Sequence, residues 1–340
     1  MHPHAIGPPL RRVLQLALGA LLCLAAAVPA LAAGASRTLV ISGAGDGHGV
    51  GMSQDGAYGY AQHGYSDAQI LAHYYTGTAI GRAPANATVK VLVGSTVQRI
   101  PLERYVRGVV SAEMPAEWPL AALEAQAIAS RTYALTSHAG GSRFDVYADT
   151  RSQVYLGKAA ETARTNSAVS DTAGQIVTYA GKPAVTYFYA SSGGITESVQ
   201  NGFPGAEAQP WLVGVPDSYE TSSSGWRLSL SFATAASRLK GLVKGSFQGV
   251  EVLRRGYSPR ILTAAVLGSG GPTLLSGPEL EARLGLRSTW AYFAARTGTG
   301  PAQALPDRSG WKAPPDFSTA PPPAPAAPSE DGGTGVDSPS

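Results

Sequence analysis

Two short stretches hold the residues able to do chemistry. "GDGHGVGMSQDGAYGYA", starting at Gly45, sets His48, Ser53 and Gln54 among six glycines, with Tyr58 and Tyr60 behind them. "SAEMPAEWP", starting at Ser111, sets Glu113 beside Met114 and Trp118, with Pro115 and Pro119 framing the turn. By itself the first stretch is open to four readings: a flexible linker, a metal site, a nucleophile loop, or one wall of a site completed elsewhere. Metal chemistry finds little support. His63, His73 and His138 show no H-E-x-x-H spacing, and the only cysteine is Cys23. A Ser-His-Asp arrangement of His48 with Ser53 or Ser191 fares no better, because "GMSQD" is not G-x-S-x-G and no strand-to-helix elbow surrounds it. We expect no metal and no other cofactor.

The second stretch is more informative. Leu102, Tyr105, Val106, Val109 and Val110 fall on one face of a helix that ends at Glu113, since Pro115 cannot continue it. Pro119 suits the first turn of the next helix, "PLAALEAQAIASRTYALTSHA", which Gly140-Gly141 would end. A carboxyl group on a turn between apolar helices pays a desolvation penalty when ionised, so its pKa rises. Such a group can protonate a leaving oxygen near neutral pH. The alternative from local sequence is a helix-end residue or a salt-bridge partner.

Around these stretches the chain has 340 residues, 44% of them apolar and only 14% charged, with 41 Gly and 25 Pro. That composition predicts many turns and short elements. Arg11 and Arg12, the run "VLQLALGALLCLAAAVPALAA" and the small-residue site Ala30-Leu31-Ala32 read as a secretory signal peptide over 1–33. An uncleaved anchor is the alternative and the only membrane attachment expected; Leu22 before Cys23 disfavours a lipid-modified cysteine. Cleavage removes two arginines and no acid, taking the formal charge from +3 to +1. So balanced a charge argues against a nucleic-acid partner. With Cys23 gone no disulfide can form, and about 260 residues must hold together through apolar burial alone.

From Thr297 the sequence turns rich in Pro, Ala, Gly and Ser, which reads as a disordered tail over 297–340. Between the two ends lies one folded region, 36–296, with room for two lobes. "RTLVISG", "TVKVLVG", "TVQRIPLE", "QIVTYAG", "AVTYFYASS", "GWRLSLSF", "VEVLRRG" and "ILTAAVLG" read as strands. "SDAQILAHYY" and "GPELEARLG" read as further helices. Strands and helices segregate without a βαβ rhythm, so the expected class is α+β.

"PLERYVRGVVSAEMPAEWPLAALEAQAIASRTYAL" resembles the SpoIID/LytB family, the stage II sporulation protein D and amidase-enhancer group. The resemblance continues through "DTRSQVYLGKAAETARTNSAVSDTAGQIVTYAGKPAVTYFYASSGGITES", "VPDSYE" and "LSGPELEARLGLRSTWAYF", covering nearly all of the folded region. It implies a mixed α+β fold with a glycan-binding groove, and an exported protein, secreted, periplasmic or wall-associated, that acts on peptidoglycan glycan strands. Enzymatic members are lytic transglycosylases that prefer strands stripped of stem peptides, with the Glu of Glu-Met-Pro as catalytic acid; that residue is Glu113. The amidase-enhancer branch implies a second possibility, a non-catalytic glycan-binding module that stimulates a cell-wall amidase. Some members carry a zinc site built with cysteines, ligands this chain lacks. The name invokes sporulation, and general wall turnover fits equally well.

The block "GHGVGMSQ" usually closes the family's domain, after "LGLRST", yet here it comes first, so the order resembles a circular permutation. Gly43–Thr78 should then pack beside the segment ending at Phe293 and bring His48, Ser53 and Gln54 to the groove at Glu113. The resemblance also points to Ser152, Gln153 and Tyr155, and to Ser191, Ser192 and Thr196 flanking Gly193-Gly194, as substrate-binding residues. Glu117, Asp149 and Glu197 are the candidates for a second carboxylate, Glu117 reading as solvated. Gln126, Arg131 and Tyr133 lie on the helix after Glu113, and Arg131 reads as structural. Asp55 stands where the family commonly has an aromatic, and Glu124 where a lysine is common.

Overall fold

The computed structural model describes residues 36–220 and 225–312; the expected signal peptide and residues 313–340 lie outside the described residues. In chain order, β1 (Arg37–Gly43), β2 (Met52–Ser53), α1 (Gln54–Gln62) and α2 (Asp67–Tyr74) precede β3 (Ala79–Arg82), β4 (Thr88–Val93) and β5 (Thr96–Pro101). Then come α3 (Leu102–Glu113), α4 (Leu120–Thr136), β6 (Val146–Tyr147), a 3-10 turn at Gly157–Ala160, α5 (Ala163–Asp171) and β7 (Gln175–Tyr179). β8 (Lys182–Pro183), β9 (Phe188–Tyr189) and α6 (Val199–Gly202) follow. The last part holds β10 (Trp226–Ser231), α7 (Phe232–Arg238), β11 (Phe247–Arg255), β12 (Ile261–Gly268) and β13 (Gly271–Ser276). α8 (Gly277–Leu284), β14 (Ala291–Thr297) and β15 (Gln303–Ala304) complete it. The class is mixed α+β, with several small sheets.

Two apolar cores divide the molecule into two lobes. In the first, α4 is buried on nearly every side among α1, α2, α3, α5 and β7. Its alanines at 122, 125, 127, 129 and 134 let those neighbours approach closely. The one long cation among them, Arg131, is fully buried and satisfied. Its Nε and Nη2 donate to the two Glu103 carboxylate oxygens at 2.9 and 2.8 Å, and Nη1 donates to the Gln175 carbonyl at 3.0 Å. Arg131 is thus structural, as its position on α4 implied. The second core joins β1, β10 and β14 to β11, β12, α7 and α8 around residues such as Leu39, Ile41, Val250, Val266 and Leu280.

β1 is the hinge of this arrangement. It lies between β10 and β14, with Ile41 opposite Phe293 and Gly43 opposite Ala291, so the described residues begin inside the second lobe. Burying Leu39 and Ile41 there is worth about 1.5–3 kcal/mol each. Beyond Gly43 the backbone crosses to the first lobe, with Ala44 N–H donating to Trp290 O at 3.2 Å and Gly47 N–H to Arg287 O at 2.9 Å. The glycine-rich stretch is therefore an ordered crossing rather than a linker. Gly45, Gly47, Gly49 and Gly51 all take left-handed backbone, every second residue of the run. A Cβ on Gly51 would sit 2.1 Å from Tyr187 O, and one on Gly49 would sit 2.2 Å from Arg260 Nε. Only glycine fits both the backbone and the space.

Several expectations change. α4 ends at Thr136, capped by Ser137, before the glycine pair expected to stop it. "AVTYFYASS" forms a strand at Phe188–Tyr189 alone, because its parallel partner β2 lasts two residues before Ser53 caps α1; Ser191 adds one isolated antiparallel bridge to Asp46. β4 and β6 form a second short parallel pair that a segregated α+β reading does not anticipate. The folded region runs past 296: β15 pairs with β14, Asp307 forms an ion pair with Arg255 at 2.7 Å, and Trp311 Nε1 donates to Tyr257 O at 3.3 Å. Composition concealed this, since one short edge strand and an ion pair anchor the segment without an apolar run.

Candidate active site

Glu113 is the last residue of α3. Met114 before Pro115 is forced into extended backbone (φ −129°, ψ 142°), which breaks the helix there and turns the Glu113 side chain into a cleft. Its two oxygens are held separately: Oε1 accepts from Val154 N–H at 2.6 Å and Oε2 accepts from Gln54 Nε2 at 3.2 Å. Burial raises the Glu113 pKa, and the two donors partly oppose the rise because they favour the carboxylate. Gln54, the first residue of α1, also lies 3.5 Å from Gln126 Oε1, and Gln126 Nε2 donates to Ser130 Oγ at 2.9 Å. A row of buried amides thus fixes the side chain that touches Glu113.

The cleft is a cavity of about 550 Å³, with Glu113, Gln54 and Tyr133 on one side, Thr150 to Ser152 and Val154 on another, and His48 with Tyr187 to Ala190 and Phe203 opposite. His48 packs its ring on Tyr189 (centroids 5.2 Å) and Phe203 (4.9 Å). Its Nδ1 accepts from Val50 N–H at 3.1 Å, and it makes a backbone hydrogen bond with Phe188. Burial, then the nearby Arg260 charge, push its pKa down to about 3, so the ring is neutral and acts as part of an aromatic wall. Two ion pairs flank the mouth, Asp46–Arg287 at 2.6 Å and Asp149–Arg151 at 2.7 Å.

Of the residues expected to bind substrate, His48, Gln54 and Ser152 line this cavity together with Glu113. The others are placed elsewhere. Ser53 is fully buried, caps α1 by accepting from Gly56 N–H at 3.0 Å, and bonds Asp217. Gln153 is buried, donating to Ser130 O at 3.2 Å. Tyr155 stacks on Tyr105 against α3. Thr196 bonds Val215, through its N–H to the carbonyl at 2.9 Å and its hydroxyl from Val215 N–H at 2.8 Å. Ser191 and Ser192 donate their hydroxyls to Glu220, and Ser192 Oγ also lies 2.7 Å from Asp217 Oδ2. The "SSGG" loop is clamped by "VPDSYE" behind the cleft wall rather than offered to a ligand. These side chains are polar because they satisfy buried backbone and carboxylate groups, a demand that a sequence does not distinguish from ligand binding.

The candidate second carboxylates separate just as clearly. Glu117 is exposed. Asp149 is exposed and outside the cavity lining, and Arg151 holds its carboxyl down at about 2. Glu197 is fully buried, accepting from the backbone N–H groups of Ser198, Tyr257 and Ser258. The aromatic wall at Tyr187, Phe188 and Tyr189 was not singled out from sequence, although the alternation in "TYFYA" carries the signal, and Tyr133 was named only by its place on the helix after Glu113. Among the described residues no group of three or more His, Cys, Asp or Glu is placed to hold a metal ion.

Comparison with known proteins meets this geometry at its centre. Residues 94–179, which include α3, Glu113, α4 and Val154, match the family described as SpoIID, stage II sporulation protein. An uncharacterized protein of Brachyspira hyodysenteriae is 38% identical over 49% of this chain and 43% of its own length. Stage II sporulation protein D of Bacillus subtilis is 29% identical over 61% of this chain and 64% of its own length. The amidase enhancer of Bacillus subtilis is 34% identical over 42% of this chain and 19% of its own length. The chain thus spans less than two thirds of each of these relatives. The segment that carries Glu113 is thus similar to the SpoIID family, and the chain's relatives are named both for stage II sporulation and for amidase enhancement.

Proposed function

We propose that the protein is an exported lytic transglycosylase that cuts peptidoglycan glycan strands, stripped of stem peptides, with Glu113 as acid and then base. The relatives named for sporulation and amidase enhancement support a cell-wall-related role. The observation that carries the finer reading is Glu113 itself: one carboxyl group, its pKa raised by burial, held by Val154 and Gln54 inside an aromatic-walled cleft. Its protonated oxygen gives the proton to the glycosidic oxygen as the C1–O bond breaks. The resulting carboxylate takes the proton of the sugar's own 6-hydroxyl, whose oxygen bonds C1 and leaves a 1,6-anhydro end. This sequence needs one carboxyl, whereas hydrolysis needs a second at about 5–9.5 Å to activate water or attack C1. Asp46, the other acid lining the cavity, is paired with Arg287.

The test is a product assay with the chain from residue 34 onward, on intact and on peptide-stripped strands, beside Glu113→Gln. Anhydro-muramyl ends from stripped strands, absent with the variant, are expected. Reducing ends would replace this mechanism by hydrolysis. A folded protein that binds strands without cutting them would favour the second reading, a glycan-binding partner of a cell-wall amidase, the activity named in one relative.

A further inference from the structure

Beside the cleft lies a second cavity of about 300 Å³ that shares His48 and Phe203 with the first, so the two adjoin across these rings, and the second is bordered by α8 of the second lobe. Its walls are apolar, from Phe203, Pro204, Pro278 and Leu286, with two polar groups: the Glu281 carboxyl on α8 and Thr289. Glu281, half-buried at the cavity wall, differs from the molecule's fully buried acids. Asp217 and Glu197 are saturated with hydrogen bonds, but the Glu281 carboxyl has no hydrogen bond or ion pair among the described residues. Burial raises its pKa to about 7, with Arg260 acting to lower it and Asp46 to raise it. A partly desolvated carboxyl group with no protein donor leaves its acceptor sites open to a ligand that enters the cavity.

The charges restrict that donor. Glu281 and Asp46 are opposed by Arg260 and by Arg287, the partner of Asp46, so the local field is close to balanced and does not call for an ammonium group. A neutral N–H or O–H that carries a small apolar group fits both the lone acceptor and the apolar walls. We propose that this second cavity binds the acetamido group of an N-acetylated amino sugar, with the methyl against Phe203, Pro204 and Leu286 and the amide N–H donated to Glu281. Thr289 supplies a hydroxyl to the acetyl oxygen. The inference rests on the glycan-cleaving reading and extends it, because it assigns the sugar beyond Glu113 to the second lobe and makes de-N-acetylated strands poor ligands.

The experiment is titration calorimetry on the Glu113→Gln protein, which does not require cleavage. The probes are an N-acetylglucosamine tetramer and the corresponding glucosamine tetramer. The parent should bind the N-acetylated probe more tightly. Glu281→Leu, which keeps the volume and removes the acceptor, should weaken that binding roughly ten- to hundredfold and erase the discrimination. Ala282→Trp, which fills the cavity from its rim, should act in the same direction, with thermal melts reporting that both variants fold. Unchanged binding in both folded variants, or equal affinity of the parent for the two probes, overturns the inference while leaving Glu113 chemistry untouched. Discrimination that depends on Glu281, in a protein whose unsubstituted form makes no anhydro ends, would uphold the inference and remove the transglycosylase. Binding of neither probe by the folded parent overturns both.

Discussion

At the scale of single residues, the proposed catalysis turns on how Glu113 keeps its proton and how Gln54 holds it. The two donors to its oxygens favour the carboxylate, which suits the second half of the reaction, while burial favours the acid, which suits the first. Removing one donor should therefore shift the balance in a known direction. Gln54→Ala takes away an interaction that lowers the Glu113 pKa, so the alkaline limb of the kcat/KM profile should move to higher pH. The rate should fall as well, by about tenfold, because the side chain is no longer held. Rate against pH, measured on stripped strands for both proteins, checks this. A loss of rate with an unmoved limb would make Gln54 a packing residue only.

At the scale of elements, α3, α4 and the glycine crossing decide whether the cleft exists. Pro115 breaks α3 one residue after the acid, and the alternating left-handed glycines thread the chain between Tyr187 and Arg260 to deliver Gln54. Gly49→Ala places a Cβ in left-handed backbone against the Arg260 guanidinium, a group already tied to Gly47 O and Ser192 O. We expect a loss of more than about 2 kcal/mol in denaturant unfolding. By contrast Gly64→Ala, also at positive φ but with open space around it, should lose only about 1 kcal/mol. Equal losses would mean that backbone strain alone, and not the crowded crossing, sets the cost.

At the scale of the molecule, the second lobe draws on both ends of the described region. β1 enters it from one end, and residues 303–311 clasp it from the other. Truncation after 296 removes Asp307 from Arg255, whose side chain is only 1% exposed. The remaining partner carbonyls, those of Pro259 and Ala291, carry no charge. That truncation should cost about 2–4 kcal/mol in equilibrium unfolding. Stability against pH also belongs to the whole fold. Asp217 and Glu281, both raised to about 7 chiefly by burial, are protonated in the native state and ionised in the unfolded one between about pH 4 and 7, so their contribution falls as pH rises there. His48, lowered to about 3, and His73, lowered to about 4, do the reverse, losing stability as pH falls below 6.5. The opposing pairs should leave the melting temperature nearly level from pH 4.5 to 6.5. Asp217→Asn should tilt that plateau so that stability rises with pH, and melts across the range would show it.

The sequence by itself determined what local rules can reach. The helix ending at Glu113 follows from apolar spacing and a proline, and the burial that raises the pKa of its carboxyl follows from the apolar faces on either side. β1 and the helix at 67–74 are equally legible from alternation, spacing and capping. Even the meeting of Gly43–Thr78 with the segment ending at Phe293 was readable, through the order of blocks in a resemblance rather than through any local pattern. Tertiary structure alone decided which polar residues face the cleft. Ser53, Gln153, Ser191, Ser192 and Thr196 have the same chemistry as Gln54 and Ser152, but they satisfy buried partners, and those partners come from segments as distant as Asp217 and Glu220. A hydroxyl or an amide declares that it needs a hydrogen bond; only the packed chain determines whether the bond is made inward or left open for a sugar.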